Sequence, residues 1–289
     1  MSSSAPEVDG ARDIPPWARL ALSRAAVQVL ADQTGARLLH IKGDAVDPMI
    51  RPEARSGTDV DVLADPRSIP ALHRTLRAHG WTVYSTFRFG SPFEHAQTYA
   101  HDMWGYLDLH RRFPGIGLAD QQAFDLLWSE RTSRQIAGID YKAPSIEAQA
   151  VLLVLNAARA GRGMPSFWTD FDPSHRTRSE ALVGRLQAQV AFATAEGSLE
   201  MFRGRRDYLL WKVTAQGGPR IAEWWGRVRA QPTMGQSLRV IAQAPLVNTD
   251  RLARRLGHEP SRREVIMEFF ARGLRGAREA SSAVLRRGR

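Results

Sequence analysis

The chain has 289 residues, with 40 Lys plus Arg against 30 Asp plus Glu, and it contains no cysteine. That last fact excludes disulfides, thiolate zinc sites, iron–sulfur clusters and cysteine nucleophiles. Apolar and charged fractions of 43% and 24% are those of a globular chain, and the length favours two domains. No apolar run approaches the roughly 20 residues of a membrane span. The opening MSSSAPEVDGARDIPPW is polar and acidic, with neither part of a signal peptide, so a cytoplasmic protein without stable membrane association is expected.

In chain order, residues 1–13 read as a disordered leader. Residues 14–34 follow as a helix, with Pro15 and Pro16 suited to its first turn and an apolar side from Leu20 to Leu30. Residues 38–41 form a buried-strand candidate that ends at Lys42-Gly43, followed by a short helix over 44–50 and a polar loop over 51–58. Residues 59–64 (Asp-Val-Asp-Val-Leu-Ala) begin with strict polar/apolar alternation, the signature of a strand. A helix over 68–79 stops at Gly80. Residues 81–84, 95–99 and 106–110 are further strand candidates, and 132–141 reads as one more strand or a hairpin. From 145 the period becomes helical and stays so to the C-terminus.

This pattern predicts an α+β domain over 14–143, with a mixed sheet and flanking helices, and an all-α domain over 144–289. Charge follows the same division. Residues 1–143 carry a net of −1 and residues 144–289 a net of +11, and 37 of the 40 basic residues are Arg. A field of that sign attracts nucleotides, nucleic acid or an acidic partner, although a solvated arginine-rich helical surface accounts for it equally.

The most informative short motif is Asp59-Val60-Asp61. On a strand, residues i and i+2 share a face, so both carboxylates project together while Val60 and Val62 face the core. Like charges this close raise each other's pKa, a cost a divalent cation relieves. Mg²⁺ takes oxygen ligands, often one or two carboxylates plus substrate phosphates. Tyr106-Leu107-Asp108-Leu109-His110 repeats the alternation and puts Asp108 and His110 on one face. Three carboxylates on two neighbouring strands suit a two-metal phosphoryl or nucleotidyl transfer site. Upstream, the strand-to-turn Lys42-Gly43 is a place where backbone N–H groups and a lysine meet phosphate oxygens.

Lys42-Gly43, Arg55 with Ser56 to Leu63, and Leu107-Asp108-Leu109-His110 together resemble a poorly characterised bacterial nucleotidyltransferase family. Its pattern is Lys-Gly, then an Arg shortly before an Asp-Ile-Asp-Leu-Leu strand, then hydrophobic-Asp-Leu-His. The resemblance spans roughly residues 15–175 and implies a polymerase-β-type nucleotidyltransferase fold with a helical C-terminal region. It also implies that Asp59, Asp61 and Asp108 bind metal, with Lys42, Gly43 and Arg55 on the nucleotide phosphates. The implied reaction is Mg²⁺-dependent transfer of an NMP from an NTP to an acceptor (a small molecule, a peptide or protein, or RNA), with release of pyrophosphate. The wider superfamily has Gly-Ser or Gly-Gly at the turn, whereas Gly43 is followed by Asp44, an acid where a hydroxyl donor is expected.

Other expectations compete. A non-catalytic protein of this fold would hold nucleic acid or an acidic partner through its basic half, and phosphotransfer would use the same carboxylates with a nucleoside diphosphate leaving. His101-Asp102 has the look of a metal-binding pair. His110 reads as a structural or an acceptor-positioning residue. Asp170 and Asp172 are either turn and cap residues or acids near the cleft. Trp211, Trp224 and Trp225 read as core, Arg203, Arg205 and Arg206 as a solvated cluster, and the apolar stripe within 262–287 as packed on the helical domain.

Overall fold

A computed structural model describes residues 14–51, 57–90, 93–243, 247–269 and 271. Its first elements are α1 (Pro16–Thr34), β1 (Leu38–His40), β2 (Asp59–Ala64), α2 (Ile69–Ala78), β3 (Thr82–Ser85), α3 (Phe87–Gly90), β4 (Ala96–His101) and β5 (Gly105–His110). There follow α4 (Asp120–Ser129), β6 (Thr132–Ile136), β7 (Ile139–Ala143), α5 (Ile146–Arg159), α6 (Phe167–Asp170) and α7 (Pro173–Arg185). The remaining elements are α8 (Gln189–Glu196), α9 (Tyr208–Gln216), α10 (Arg220–Arg229), α11 (Met234–Gln243) and α12 (Thr249–Leu256). The protein is therefore α+β, with a five-stranded mixed sheet. The leader 1–13 and Arg55 lie outside the described residues.

The sheet runs β1-β2-β5-β4-β3. Only β2 and β5 pair in parallel, and the other neighbours are antiparallel. A parallel pair needs a crossover, here α2, β3, α3 and β4. The alternation read in β2 has its physical outcome: Val60, Val62 and Ala64 point to one side with Leu107 and Leu109, where Leu20, Val27, Leu30 and Ala31 of α1 and Leu72 and Leu76 of α2 close the core. The opposite side of β2 and β5 is left to Asp59, Asp61, Asp108 and His110.

Boundaries follow local chemistry. Helix α1 carries proline in its first turn and stops at Gly35, whose φ of +65° a side chain would resist. The hairpin β6–β7 turns on Ala137 and Gly138, both with positive φ, as a two-residue turn of matching twist requires.

One expected helix is corrected. The helix expected over 44–50 is a single 3₁₀ turn at Gly43–Ala45, because Pro48 interrupts it and Asp47 is drawn off by Gln149 and Arg134. Helix α4 has no counterpart in the sequence reading; its buried residues Ala123, Phe124 and Leu127 are too few within ten residues to set a period.

The described residues form two compact units. One takes those through Gly90, then His95–Leu153 and Ser166–Gln187; the other takes the described part of Ser91–Glu94, Val154–Pro165 and those from Ala188 on. Within the second unit α9 and α10 approach closely at Gly226, where an added Cβ would lie 2.9 Å from the Leu210 backbone. Trp211 is buried there and Trp224 partly so, but Trp225 is 56% exposed, against the expectation of core. Arg203 pairs with Glu200. Of the stripe within 262–287, the structure describes 262–269 and 271; the rest lies outside the described residues. No described helix is long and apolar enough to cross a membrane.

Candidate active site

Strand register builds the site. In the parallel pair β2–β5, Asp61 stands opposite Asp108. In the antiparallel pair β4–β5, Thr98 stands opposite Asp108. Three side chains therefore line up across three strands on the face away from the core. Asp59 is one pleat earlier on β2, opposite Tyr106, and His110 is one pleat later on β5, opposite Leu63.

Lys42 Nζ donates to Asp61 Oδ1 at 2.7 Å, and His110 Nε2 meets the same oxygen at 2.9 Å. Thr98 Oγ1 donates to Asp108 Oδ1 at 2.6 Å, and Thr58 Oγ1 to Asp59 Oδ1 at 3.3 Å. The backbone is tied as well: Ile41 N–H donates to the Asp61 carbonyl at 3.0 Å, which fixes the Lys42 turn against β2. Each of Asp61 and Asp108 thus has one oxygen held by a neighbour and keeps the other for a ligand. Ligand atoms of Asp61, Asp108 and His110 all lie within 4.8 Å of one another.

The charges are tuned unevenly. Burial pushes the Asp61 carboxyl up, but the His110 hydrogen bond and the Lys42 ammonium outweigh it and hold it down to about 2. Asp59 is pushed above the ordinary carboxylate value by burial and by Asp61 and Asp108, with Lys42 opposing only in part. His110 is pushed down by burial and by Lys42, against the pull of Asp61. It is therefore neutral at pH 7 and donates Nε2–H to Asp61. Phe113 stacks on its ring at 6.1 Å and His95 lies 5.1 Å away, which fixes the imidazole plane. Three carboxylates face one ammonium. That imbalance, and the free carboxylate oxygens, suit a divalent cation with oxygen ligands.

Of the residues singled out in the sequence, Asp61 and Asp108 come together, and Asp59 borders them without joining the 4.8 Å group. Lys42 is beside them but is engaged with Asp61, and Gly43 follows it in the turn. Both have positive φ, 61° and 52°. Thr98 was missed, since its role arises only from β4–β5 register. His110 was seen on the right face but not as the partner of Asp61. His101 Nδ1 accepts the backbone N–H groups of Met103 and Trp104 and closes the β4–β5 turn. Asp172 caps α7 by accepting from Ser174 N and His175 N at 2.9 and 3.3 Å.

Residues 28–181 match the model of an uncharacterised nucleotidyltransferase family, and the chain belongs to that family. No curated protein matches it. Among solved structures, it is similar to the lincosamide antibiotic adenylyltransferase LnuA with lincomycin bound, at 20% identity over 44% of this chain and 82% of that one, with a TM-score of 0.34. It is also similar to the antibiotic-resistance factor ANT(2'')-Ia, at 17% identity over 64% of this chain and 91% of that one, with a TM-score of 0.36. At these scores neither likeness bears on the activity.

Proposed function

We propose that the chain transfers a nucleoside monophosphate from Mg²⁺-bound NTP to a hydroxyl-bearing acceptor and releases pyrophosphate. The observation that carries this reading is the in-register pair Asp61 and Asp108, each with one oxygen held by a neighbouring side chain and one left for a ligand. Asp61 and Asp108, with Asp59 beside them, would hold the divalent cation. When bound, that cation would neutralise phosphate charge and acidify a coordinated hydroxyl.

The remaining work falls to this chain's own atoms. His110 keeps the Asp61 carboxylate oriented through Oδ1, and Thr98 does the same for Asp108. Lys42, at the turn, can leave Asp61 for a phosphate oxygen once a cation takes its place. The acceptor oxygen forms a bond to the α-phosphorus as the bond to the bridging oxygen breaks, pyrophosphate departs, and the hydroxyl proton is lost to solvent on the Asp108 side. The basic residues within 144–289, whose net charge is +11, are assigned to attracting an acidic acceptor, and Arg55 to the phosphates.

Calorimetric titration of ATP, GTP, CTP and UTP with Mg²⁺ at moderate salt, beside Asp61→Ala, tests the reading. Saturable Mg²⁺-dependent binding of one NTP, lost in the variant, is the expected result. Equal binding by both proteins would point instead to the basic helical residues as a polyanion-binding surface.

A further inference from the structure

Arg24, on α1, is 1% exposed, and neither its Nε nor its Nη1 has a hydrogen-bond partner. A buried guanidinium without hydrogen bonds is costly, because desolvation is not offset. By contrast, Arg37 bonds Asp65 and Asp125, and Arg134 bonds Asp47 and the Ala45 carbonyl. Packing does not require the charge, since a Met or Leu fills a similar volume.

What lies around Arg24 is the phosphate side of the proposed site. Its Nη2 lies 3.5 Å from the point a Cβ on Gly43 would occupy, so the guanidinium lies against the turn. Its carbon centre lies 5.9 Å from the Tyr141 ring. Burial pulls the guanidinium below its ordinary pKa, while Tyr141, Asp44 and Asp61 act through space to keep it charged. The turn itself is one 3₁₀ turn of three residues, too short for a helix dipole to hold an anion. Positive charge there must come from side chains, and Asp44 subtracts from it.

We propose that Arg24 is a phosphate-binding residue, a cation held beneath the Lys42–Gly43 turn whose Nη2 donates past Gly43 to a phosphate oxygen of the NTP tail and whose charge offsets Asp44. This rests on the nucleotidyltransferase reading of the site and supplies the donor that Asp44 removes from the turn.

The test uses the full chain with Arg24→Met, followed by thermal melts and by calorimetric titration of Mg²⁺-ATP and, separately, inorganic tripolyphosphate. Arg24→Met is expected to melt no lower than the wild type without ligand, since it removes an unpaired buried charge. It is expected to bind both ligands about ten- to a hundredfold more weakly, the loss of one charge-assisted hydrogen bond. If Arg24→Met does not fold, the Arg24 side-chain Nε resonance of the wild type decides: it should shift on adding tripolyphosphate, and an unmoved signal overturns the proposal. Unchanged ATP affinity in folded Arg24→Met overturns it while leaving the nucleotidyltransferase reading intact. Arg24-dependent tripolyphosphate binding without binding of Mg²⁺-ATP would overturn the proposal, because the phosphate held would not be that of the nucleotide. Binding of neither ligand by the wild type would reject both.

Discussion

Lys42 Nζ and His110 Nε2 meet on one oxygen of Asp61, at 2.7 and 2.9 Å. The lysine therefore neutralises a carboxylate for which a divalent cation would compete. Lys42→Met should bind Mn²⁺ alone more tightly than the wild type, because a competing charge is gone, yet bind Mg²⁺-NTP more weakly for want of a phosphate partner. Opposite signs in the two titrations are the expected outcome. A parallel loss in both would mean that Lys42 only holds the turn in shape.

His110 acts through Asp61. Removing a residue that orients a metal ligand typically costs about 10- to 100-fold in metal affinity, and His110→Ala should fall in that range for Mn²⁺, measured by electron paramagnetic resonance. The Thr98→Val variant should show a smaller loss through Asp108. Circular dichroism of both variants should match the wild type, which separates orientation from unfolding.

The pH dependence of cation binding should be set by Asp59. Its carboxyl is pushed above the ordinary value by burial and by Asp61 and Asp108, whereas Asp61 is held down at about 2. On lowering the pH, Asp59 protonates first and Mn²⁺ affinity falls through its raised pKa; Asp61 stays ionised throughout. The Asp59→Asn variant should bind more weakly at pH 7 and lose this acid limb. A limb unchanged in Asp59→Asn would remove Asp59 from the site.

Asp65, at the far end of β2, carries stability and not chemistry. Its carboxylate accepts from Arg37 Nη2 at 2.6 Å and from Arg67 N at 3.0 Å. Burial raises its pKa, but the bonds from Arg67 and Arg37 overcome this and leave it well below the carboxylate range. A depressed carboxylate stabilises the fold fully above its unfolded value, and the contribution is lost as pH falls from there toward the folded one. Asp65→Asn should cost about 1–3 kcal/mol at pH 7, with the difference from the wild type shrinking below about pH 4. Mg²⁺-NTP affinity at 25 °C should be unchanged.

In the helical unit, Gly226 lets α10 lie against Leu210 of α9. A side chain there overpacks the contact, and Gly226→Val should destabilise that unit by about 1–3 kcal/mol. In hydrogen exchange, protection should fall in α9 and α10 while β2 and β5 keep theirs.

Much of this was legible in the sequence. The Asp59–Leu63 alternation determined a strand with acids on one side and valines on the other, because a strand has a period of two whatever surrounds it. The same rule put Asp108 and His110 together. Proline marked the start of α1, and Gly80 the end of α2. Local steric and hydrogen-bonding rules sufficed for each of these.

Only the tertiary structure decided which strands are neighbours. The parallel β2–β5 pairing sets Asp61 opposite Asp108, and β4 brings Thr98 to it, across separations no local rule spans. The lysine expected on phosphate is paired with Asp61, next to Ile41, whose N–H is tied to the Asp61 carbonyl. Nothing local marks Arg24 of α1 as buried. Its burial becomes visible once β1, β7 and the Lys42–Gly43 turn close over α1. Pattern assigns each residue to a face, and the packing of faces determines which charges must share a site.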